Sequence, residues 1–212
     1  MSWFDPKYEY LTTVVFNCHI ILISNLLLSV RNKRLSRIQN AKPKLICDVF
    51  INHRGIDTKK NVAGLLYDNL TRNIGVRAFL DSMNMKPGDR LFQHINRGIL
   101  DCKVGVAVFS PRYCDSYFCL HELALLMESN KRVVPIFYDV KPSQLRVKDN
   151  GTCPPADLQR FAFALEDAKN TVGLTFDSLN GDWSELLRNA SEAVIMNLLE
   201  VEERVNDGDR IC

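Results

Sequence analysis

Three short stretches of this 212-residue chain carry side chains that could act chemically on a ligand. Arg54 is followed by Gly55; an arginine fork can pair with phosphate oxygens, and glycine lets a backbone approach a ligand closely. Gly88 stands in a second loop, and Glu122 supplies a carboxylate that could stabilise a developing positive charge. Because no second acid accompanies Glu122 in its block, an acid/base pair is not predicted.

Asp57 and Thr58, in the same loop as Arg54, each allow two interpretations. Their short side chains could contact a ligand, or they could cap the helix that is expected to begin near Lys59. The capping interpretation is favoured for Asp57, because Asp is among the residues preferred at helix N-termini.

A nucleophilic thiol is considered at Cys119, because His121 follows two positions later. Residues two apart on a helix do not face each other, so a cysteine–histidine pair is not expected there. By its local sequence alone, a single helical glutamate such as Glu122 would be expected at a solvated surface. A catalytic role for Glu122 therefore depends on the motifs around it.

The composition of the chain fits one globular domain with extensions. Its 46% hydrophobic and 25% charged residues are sufficient for a buried core. The net charge of +2 gives no strong electrostatic reason to expect a specific nucleic acid partner. Seven cysteines, an odd number without CxxC spacing, favour reduced thiols in the cytoplasm, and four scattered histidines suggest no metal site.

Residues 1–43 are interpreted as an N-terminal leader. Within it, residues 11–30 are rich in Val, Ile and Leu and precede basic residues, a pattern typical of a membrane anchor with the domain facing the cytosol. Asn17, His19 and Asn25 interrupt this segment, and each is costly in hydrocarbon. A packing helix or strand and a disordered leader are therefore kept as alternatives to an anchor.

From residue 44 onward, short apolar runs alternate with helical periodicity, which predicts an α/β fold with a parallel sheet flanked by helices. The predicted strands are 47–51, 77–80, 104–109 and 133–137, and the predicted helices are 61–73, 91–100, 118–129, 156–169 and 183–203. The last two strands are almost wholly apolar and are expected at the centre of the sheet. The domain is predicted to span 44–203 with a tail at 204–212, and Glu200, Glu202 and Glu203 are expected as a solvated helix end.

Four sequence blocks occur in a fixed order. They are CDVFINHRGIDTK at 47–59, a strand at 75–81 followed by KPGD at 86–89, VFS at 108–110 with CLHEL at 119–123, and VPIFYDVKPS at 134–143. In order and spacing they resemble plant-type TIR (Toll/interleukin-1 receptor) domains, over residues 47–203. No ATPase module or leucine-rich repeat follows, so the resemblance is to the TIR-only class of immune-signalling NAD+ hydrolases and implies the flavodoxin-like TIR fold.

The resemblance also implies a substrate and a set of site residues. The substrate would be NAD+, with NADP+ as an alternative, and neither cofactor nor metal is implied. Catalysis would fall to Glu122, with Ser110, Phe118 and Cys119 at the rim of the pocket. The residues implied in NAD+ binding are Arg54, Gly55, Ile56, Asp57, Thr58, Lys59 and Gly88.

The implied reaction releases nicotinamide and gives ADP-ribose or a cyclic isomer as a signal in plant innate immunity and cell death. Because the cationic nicotinamide leaves as a neutral molecule, the site mainly has to stabilise a ribosyl oxocarbenium ion, which one carboxylate can do. The alternative is a non-catalytic adaptor that signals by TIR–TIR association. A flavodoxin-like phosphate or flavin binder ranks third, because the sequence lacks a P-loop.

Four positions depart from the family pattern. Phe118 stands where plant TIR domains usually carry Trp, and His53 where they usually carry Phe. Gly64 and Leu65 replace a Ser-His pair used in subunit packing, which leaves the geometry of self-association open. The expected partners are NAD+, further copies of the chain and other TIR proteins, with the loop at 81–90 of one copy completing the pocket of another.

Overall fold

The computed structural model describes residues 46–149 and 153–208, with side chains through 205, and the single position Ser29. Apart from that position, the predicted leader and its candidate anchor at 11–30 lie outside the described residues. Within the described ranges, no helix combines the length and the apolar character needed to cross a bilayer.

A five-stranded sheet forms the centre of the domain, with every neighbouring pair parallel. Its strands are β1 (Val49–His53), β2 (Ala78–Phe79), β3 (Val104–Phe109), β4 (Arg132–Tyr138) and β5 (Leu174–Phe176), in the spatial order β2-β1-β3-β4-β5. This order is the flavodoxin-like one, which confirms the predicted fold class. The two most apolar strands, β3 and β4, each pair with a neighbour on both sides, as predicted.

Seven α-helices surround the sheet in the described part of the chain. They are α1 (Gly55–Thr58), α2 (Val62–Asp68), α3 (Asp81–Asn84), α4 (Leu91–Asp101), α5 (Tyr117–Glu128), α6 (Pro155–Asn170) and α7 (Trp183–Gly208). The five predicted helices are all present, although the first changes to a π-helical turn at Asn69–Ile74, where Gly75 ends it at φ 77°. The short helices α1 and α3 and the strand β5 were not predicted.

The core follows from the apolar periodicity of these elements. Beneath α4, the rings of Phe50 and Phe79 stack 5.2 Å apart and pack with Ile95 and Ile99. A larger cluster lies beneath α5 and α6, and it includes Phe109, which stacks on Phe137. Burial of such side chains stabilises the fold by about 1.5–3 kcal/mol each.

At the acidic end of α7, Glu200 and Glu203 are exposed as predicted, but charge pairs that were not predicted also form there. Glu200 Oε2 lies 2.7 Å from a guanidinium nitrogen of Arg132, and Glu202 Oε2 lies 2.9 Å from Nζ of Lys103. Both basic residues stand at the start of sheet strands, so α7 is fastened to the amino end of the sheet by charge pairs. Sequence periodicity could not reveal partners about 70 to 100 residues away.

Candidate active site

The candidate site lies at the carboxyl end of the sheet, where β1, β2 and β3 lead into loops and where α5 begins. The first turn of α5 is fixed by Ser116, whose Oγ accepts a hydrogen bond from the backbone nitrogen of Cys119 at 3.3 Å. One face of α5 then packs toward the sheet. The positions on that face are Cys119, Glu122, Leu123 and Leu126. Glu122 therefore occupies a core-facing position of the helix, not the solvated surface that its residue type suggests.

Glu122 is half-buried. Nδ2 of Asn52 donates a hydrogen bond to Oε2 of Glu122 at 2.8 Å. Burial raises the pKa of the Glu122 carboxyl from 4.5 to about 8; the hydrogen bond from Asn52 opposes the rise, and the negative charge of Asp81 adds to it. The charge of a second acid therefore acts on Glu122, because α3 brings Asp81 to the same end of the sheet.

Asn52 was not predicted as a site residue. It lies in β1, has no solvent-exposed surface, and also donates to the carbonyl oxygen of Cys119 at 3.1 Å. Its Oδ1 accepts a hydrogen bond from the hydroxyl of Tyr113, which is likewise fully buried. The signal in the sequence is a polar amide inside the apolar run of β1, since a buried amide needs partners.

In the loop after β1, the structure does not give Asp57 the predicted role of helix cap. Asp57 lies inside α1 and does not cap a helix: its carboxylate accepts from Ser110 Oγ at 2.7 Å and from Arg112 Nε at 2.7 Å. Asn61 instead caps the next helix by accepting from the backbone nitrogen of Val62 at 2.7 Å. Asp57 and the fully buried Ser110 thus bind each other.

Thr58 is also fully buried, and its hydroxyl donates to the carbonyl oxygen of Arg54 at 3.0 Å. By contrast, Ile56 is 63% exposed, Lys59 is exposed, and a Cβ added to Gly55 would have no atom within 4 Å. Thr58 holds the loop from within, while its neighbours leave open space above the loop.

Arg54 itself begins this loop, directly after β1. Its Nε is buried and has no hydrogen-bond partner among the described residues. A buried donor without a partner is costly, which makes this nitrogen a candidate for ligand binding. Gly88 lies in the exposed loop between α3 and α4, at φ +100°, a conformation that glycine adopts without strain.

Phe118 and Cys119, the other predicted rim residues, differ in exposure. Phe118 is 39% exposed, and its ring lies 5.1 Å from that of Phe92. Cys119 is buried; its thiol donates to the carbonyl oxygen of His53 at 3.3 Å, and burial raises its pKa to about 12. His121 stacks on Tyr117, so the geometry agrees with the argument against a cysteine–histidine pair.

His53 completes the cluster at the end of β1. Its side chain is 3% exposed, and Nε2 lies 3.9 Å from Oδ1 of Asp81, too far for a hydrogen bond. Burial lowers the pKa of the imidazole, while the charge of Asp81 acts in the opposite direction. Two buried nitrogen atoms at the end of β1, on His53 and Arg54, thus lack hydrogen-bond partners among the described residues.

The fold and site together define a class: a doubly wound α/β domain with a half-buried carboxylate at the carboxyl end of its sheet. The family model of the TIR domain matches residues 49–190, and the chain belongs to that family. A protein of Brachypodium distachyon, named "Probable 2' cyclic ADP-D-ribose synthase BdTIR", is 55% identical over 159 residues, which cover 73% of this chain and 70% of that protein.

Two further proteins are also similar. The TMV resistance protein N of Nicotiana glutinosa is 32% identical over 142 residues, which cover 59% of this chain but 12% of that protein. Among solved structures, the TIR domains of the activated Roq1 resistosome, which directly recognises the pathogen effector XopQ, match with a TM-score of 0.61 and 29% identity. That match covers 70% of this chain and 99% of the solved chain.

Proposed function

We propose that this TIR domain cleaves NAD+ at the bond between nicotinamide and ribose, as a hydrolase or cyclase of the N-glycosyl bond in plant innate immunity and cell-death signalling. The main observation behind this proposal is that Glu122 faces the core and is half-buried, and that burial raises its pKa to about 8. Carboxylates with strongly shifted pKa values are concentrated at functional sites. The similarity to a plant protein named as a cyclic ADP-ribose synthase supports NAD+ as the substrate.

Glu122 acts in this proposal as an electrostatic stabiliser. When the nicotinamide bond breaks, positive charge moves from the pyridinium ring onto the ribose, and the carboxylate faces the resulting oxocarbenium ion. A cationic substrate beside Glu122 favours the ionised carboxylate, because an opposite charge within a few Å lowers a carboxyl pKa. Binding of NAD+ therefore favours the negatively charged form of Glu122, which then stabilises the oxocarbenium ion.

Arg54 is the residue we assign to the pyrophosphate of NAD+. Its unpaired Nε offers a charged donor, and the open space above Gly55 lets a phosphate approach the backbone. Ile56 and Lys59 are exposed enough to contact the remainder of the ligand. Asp57 and Thr58 shape the loop from within through their hydrogen bonds to Ser110 and to the carbonyl oxygen of Arg54.

The exposed loop that contains Gly88 belongs to a shared site in this proposal, where the loop at 81–90 of one copy completes the pocket of the next. The rate per molecule is then expected to rise with protein concentration. The five cysteines described as free thiols support a cytoplasmic setting.

The test measures nicotinamide release from NAD+ at several protein concentrations. Glu122→Gln keeps the size of the side chain and is expected to lower release at least about 100-fold, as loss of one electrostatic contact to a transition state does. Glu128→Gln is the matched control, because Glu128 lies on the same helix but pairs with Arg160 at the surface. Its release is expected to stay within about twofold of wild type.

Two outcomes would contradict the proposal. Equal release by wild type and Glu122→Gln would remove Glu122 from catalysis. Complete absence of release by wild type at concentrations where the chain self-associates would favour the alternative, a non-catalytic TIR adaptor.

A further inference from the structure

A buried hydrogen-bond chain runs from Tyr113 through Asn52 to Glu122. The hydroxyl of Tyr113 donates to Oδ1 of Asn52, and Nδ2 of Asn52 donates to Oε2 of Glu122 at 2.8 Å. The carbonyl oxygen of Cys119 accepts from Nδ2 of Asn52 at 3.1 Å. The Tyr113 hydroxyl oxygen also lies 3.1 Å from this carbonyl oxygen, but its one hydrogen points to the nearer Oδ1 of Asn52. Tyr113 and Asn52 have no exposed surface, so bulk water does not compete for these bonds.

The direction of this chain follows from the chemistry of its members. A backbone carbonyl only accepts hydrogen bonds, so the amide edge that Asn52 turns toward Cys119 must be its NH2 group. The same NH2 group then carries the second hydrogen toward Glu122, and Oδ1 is left to accept from Tyr113. A flipped amide would set Oδ1 against the Cys119 carbonyl with no hydrogen between them. Asn52 can therefore only donate to Glu122.

A consequence follows for the two oxygens of the carboxyl group. Because Oε2 accepts the hydrogen bond from Asn52, that bond favours the negative charge on Oε2 and leaves Oε1 as the better site for the proton of Glu122. Given the NAD+ cleavage proposed above, we propose that Asn52 and Tyr113 are positioning residues, which hold Oε2 of Glu122 and reserve Oε1 for the substrate ribose. Oε1 is thus the oxygen that loses its proton when the site becomes active.

Tyr113 acts through Asn52 and touches no substrate in this arrangement. Its ring packs edge-on against Phe109 at 4.7 Å, which fixes the hydroxyl inside the core. Loss of that hydroxyl leaves Oδ1 of Asn52 without its donor and removes one of the restraints on the amide. The Cys119 carbonyl still restrains the NH2 group, so the effect of Tyr113 on Glu122 is smaller than that of Asn52.

The experiment titrates the side-chain 13C signal of Glu122, assigned by its loss in Glu122→Gln, and needs no catalysis. In Asn52→Leu the midpoint is expected to move upward by about 1 pH unit, because a hydrogen bond to the ionised form is lost. In Tyr113→Phe the upward shift is expected to be about half as large. The matched control is Asn69→Leu, which removes the remote hydrogen bond from Asn69 to Ser191 at 2.7 Å and is expected to leave the midpoint unchanged.

Kinetics on the same variants separate positioning from general damage. The pH at which kcat/KM rises is expected to follow the 13C midpoint in each variant, with KM for NAD+ changing less than kcat. Unchanged midpoints in both folded variants would overturn the positioning role, even if the protein cleaves NAD+. Should Asn52→Leu fail to fold, Tyr113→Phe decides alone. Shifted midpoints in a protein that never releases nicotinamide would instead sink the proposed function and keep the hydrogen-bond chain.

Discussion

The two ends of the parallel sheet differ in whether their buried polar groups have partners. At the amino end, a charged residue stands at or just before the start of each of the first four strands: Asp48, Arg77, Lys103 and Arg132. Each is paired there. Asp48 is 2% exposed and accepts from Arg77 at 2.8 and 2.9 Å, while the two other basic residues bind glutamates of α7.

The carboxyl end keeps polar atoms that lack such partners. Nε2 of His53 and Nε of Arg54 are buried without hydrogen bonds, and Glu122 is held at a raised pKa. Unpaired buried groups cost about 1–3 kcal/mol each, and the two at the end of β1 lie where a bound ligand could satisfy them. The difference teaches that polarity at the amino end supports stability and polarity at the carboxyl end supports binding. Substitutions at the two ends should therefore have opposite consequences.

The largest effect on stability is expected at the amino end, from Asp48→Asn. The substitution leaves Arg77 facing an NH2 group, and breaking a buried ion pair on one side costs about 3 kcal/mol. Urea denaturation measures the loss, and nicotinamide release per folded molecule should not change. Glu185→Gln is the control, because its pair with Arg188 is exposed and should cost less than about 0.5 kcal/mol. A loss of activity without loss of stability would reverse the roles of the two ends.

The next effect concerns Glu122→Gln as pH changes. The pKa of Glu122 is about 8 in the folded protein and near 4.5 in the unfolded chain, so folding favours the protonated carboxyl. Wild type has its full stability below pH ~4.5 and loses part of it as pH rises through about 8. Allowing for screening by water, Glu122→Gln should be more stable than wild type by about 2 kcal/mol at pH 9 and equal to it at pH ~4.5. If the stability difference between the two proteins did not change with pH across this range, the raised pKa of Glu122 would be contradicted.

A third comparison tests Arg54 with Arg54→Lys, which keeps the charge but removes the planar fork. We expect KM for NAD+ to rise about tenfold, with a smaller change in kcat, because the unpaired Nε loses its geometry for phosphate. Arg97→Lys, at an exposed pair with Asp101, is the matched control and should leave KM unchanged. An unchanged KM in Arg54→Lys would show that the unpaired nitrogen has no ligand.

Local pattern predicted the long elements of this fold well. The strand β3 begins and ends at the predicted residues, because Lys103 and Ser110 bound an uninterrupted apolar run. The strand β5 was missed because its three residues are too few for a periodicity and their pairing depends on Gly173, where a Cβ would meet the carbonyl oxygen of Pro135 at 2.6 Å. Four-residue helices such as α1 escape notice for the same reason.

The candidate site was less predictable, because its contacts join distant parts of the chain. Asp57 reaches Ser110 across 53 residues and Asn52 reaches Glu122 across 70, and no local pattern encodes either pair. The burial of Glu122 was nevertheless readable, since Cys119, Glu122, Leu123 and Leu126 share the spacing of one helix face. The position of Glu122 on an apolar helix face indicates burial, whereas its residue type alone indicates exposure.

The smallest expected effect is the one that separates the two ends most directly: His53→Phe. Because Nε2 of His53 is buried 3.9 Å from Asp81 without a hydrogen bond, an apolar ring of similar size should raise the stability of the free protein by about 1 kcal/mol, measured as an increase in Tm of about 2–4 °C. His94→Phe is the control, because His94 is only half-buried, and it should change stability by less than about 0.5 kcal/mol. At the amino end, removing one polar partner weakens the fold; here, removing a polar group should strengthen it. If His53→Phe lowered the Tm as Asp48→Asn does, His53 would belong with the paired residues, and the contrast between the two ends would rest on Arg54 and Glu122 alone.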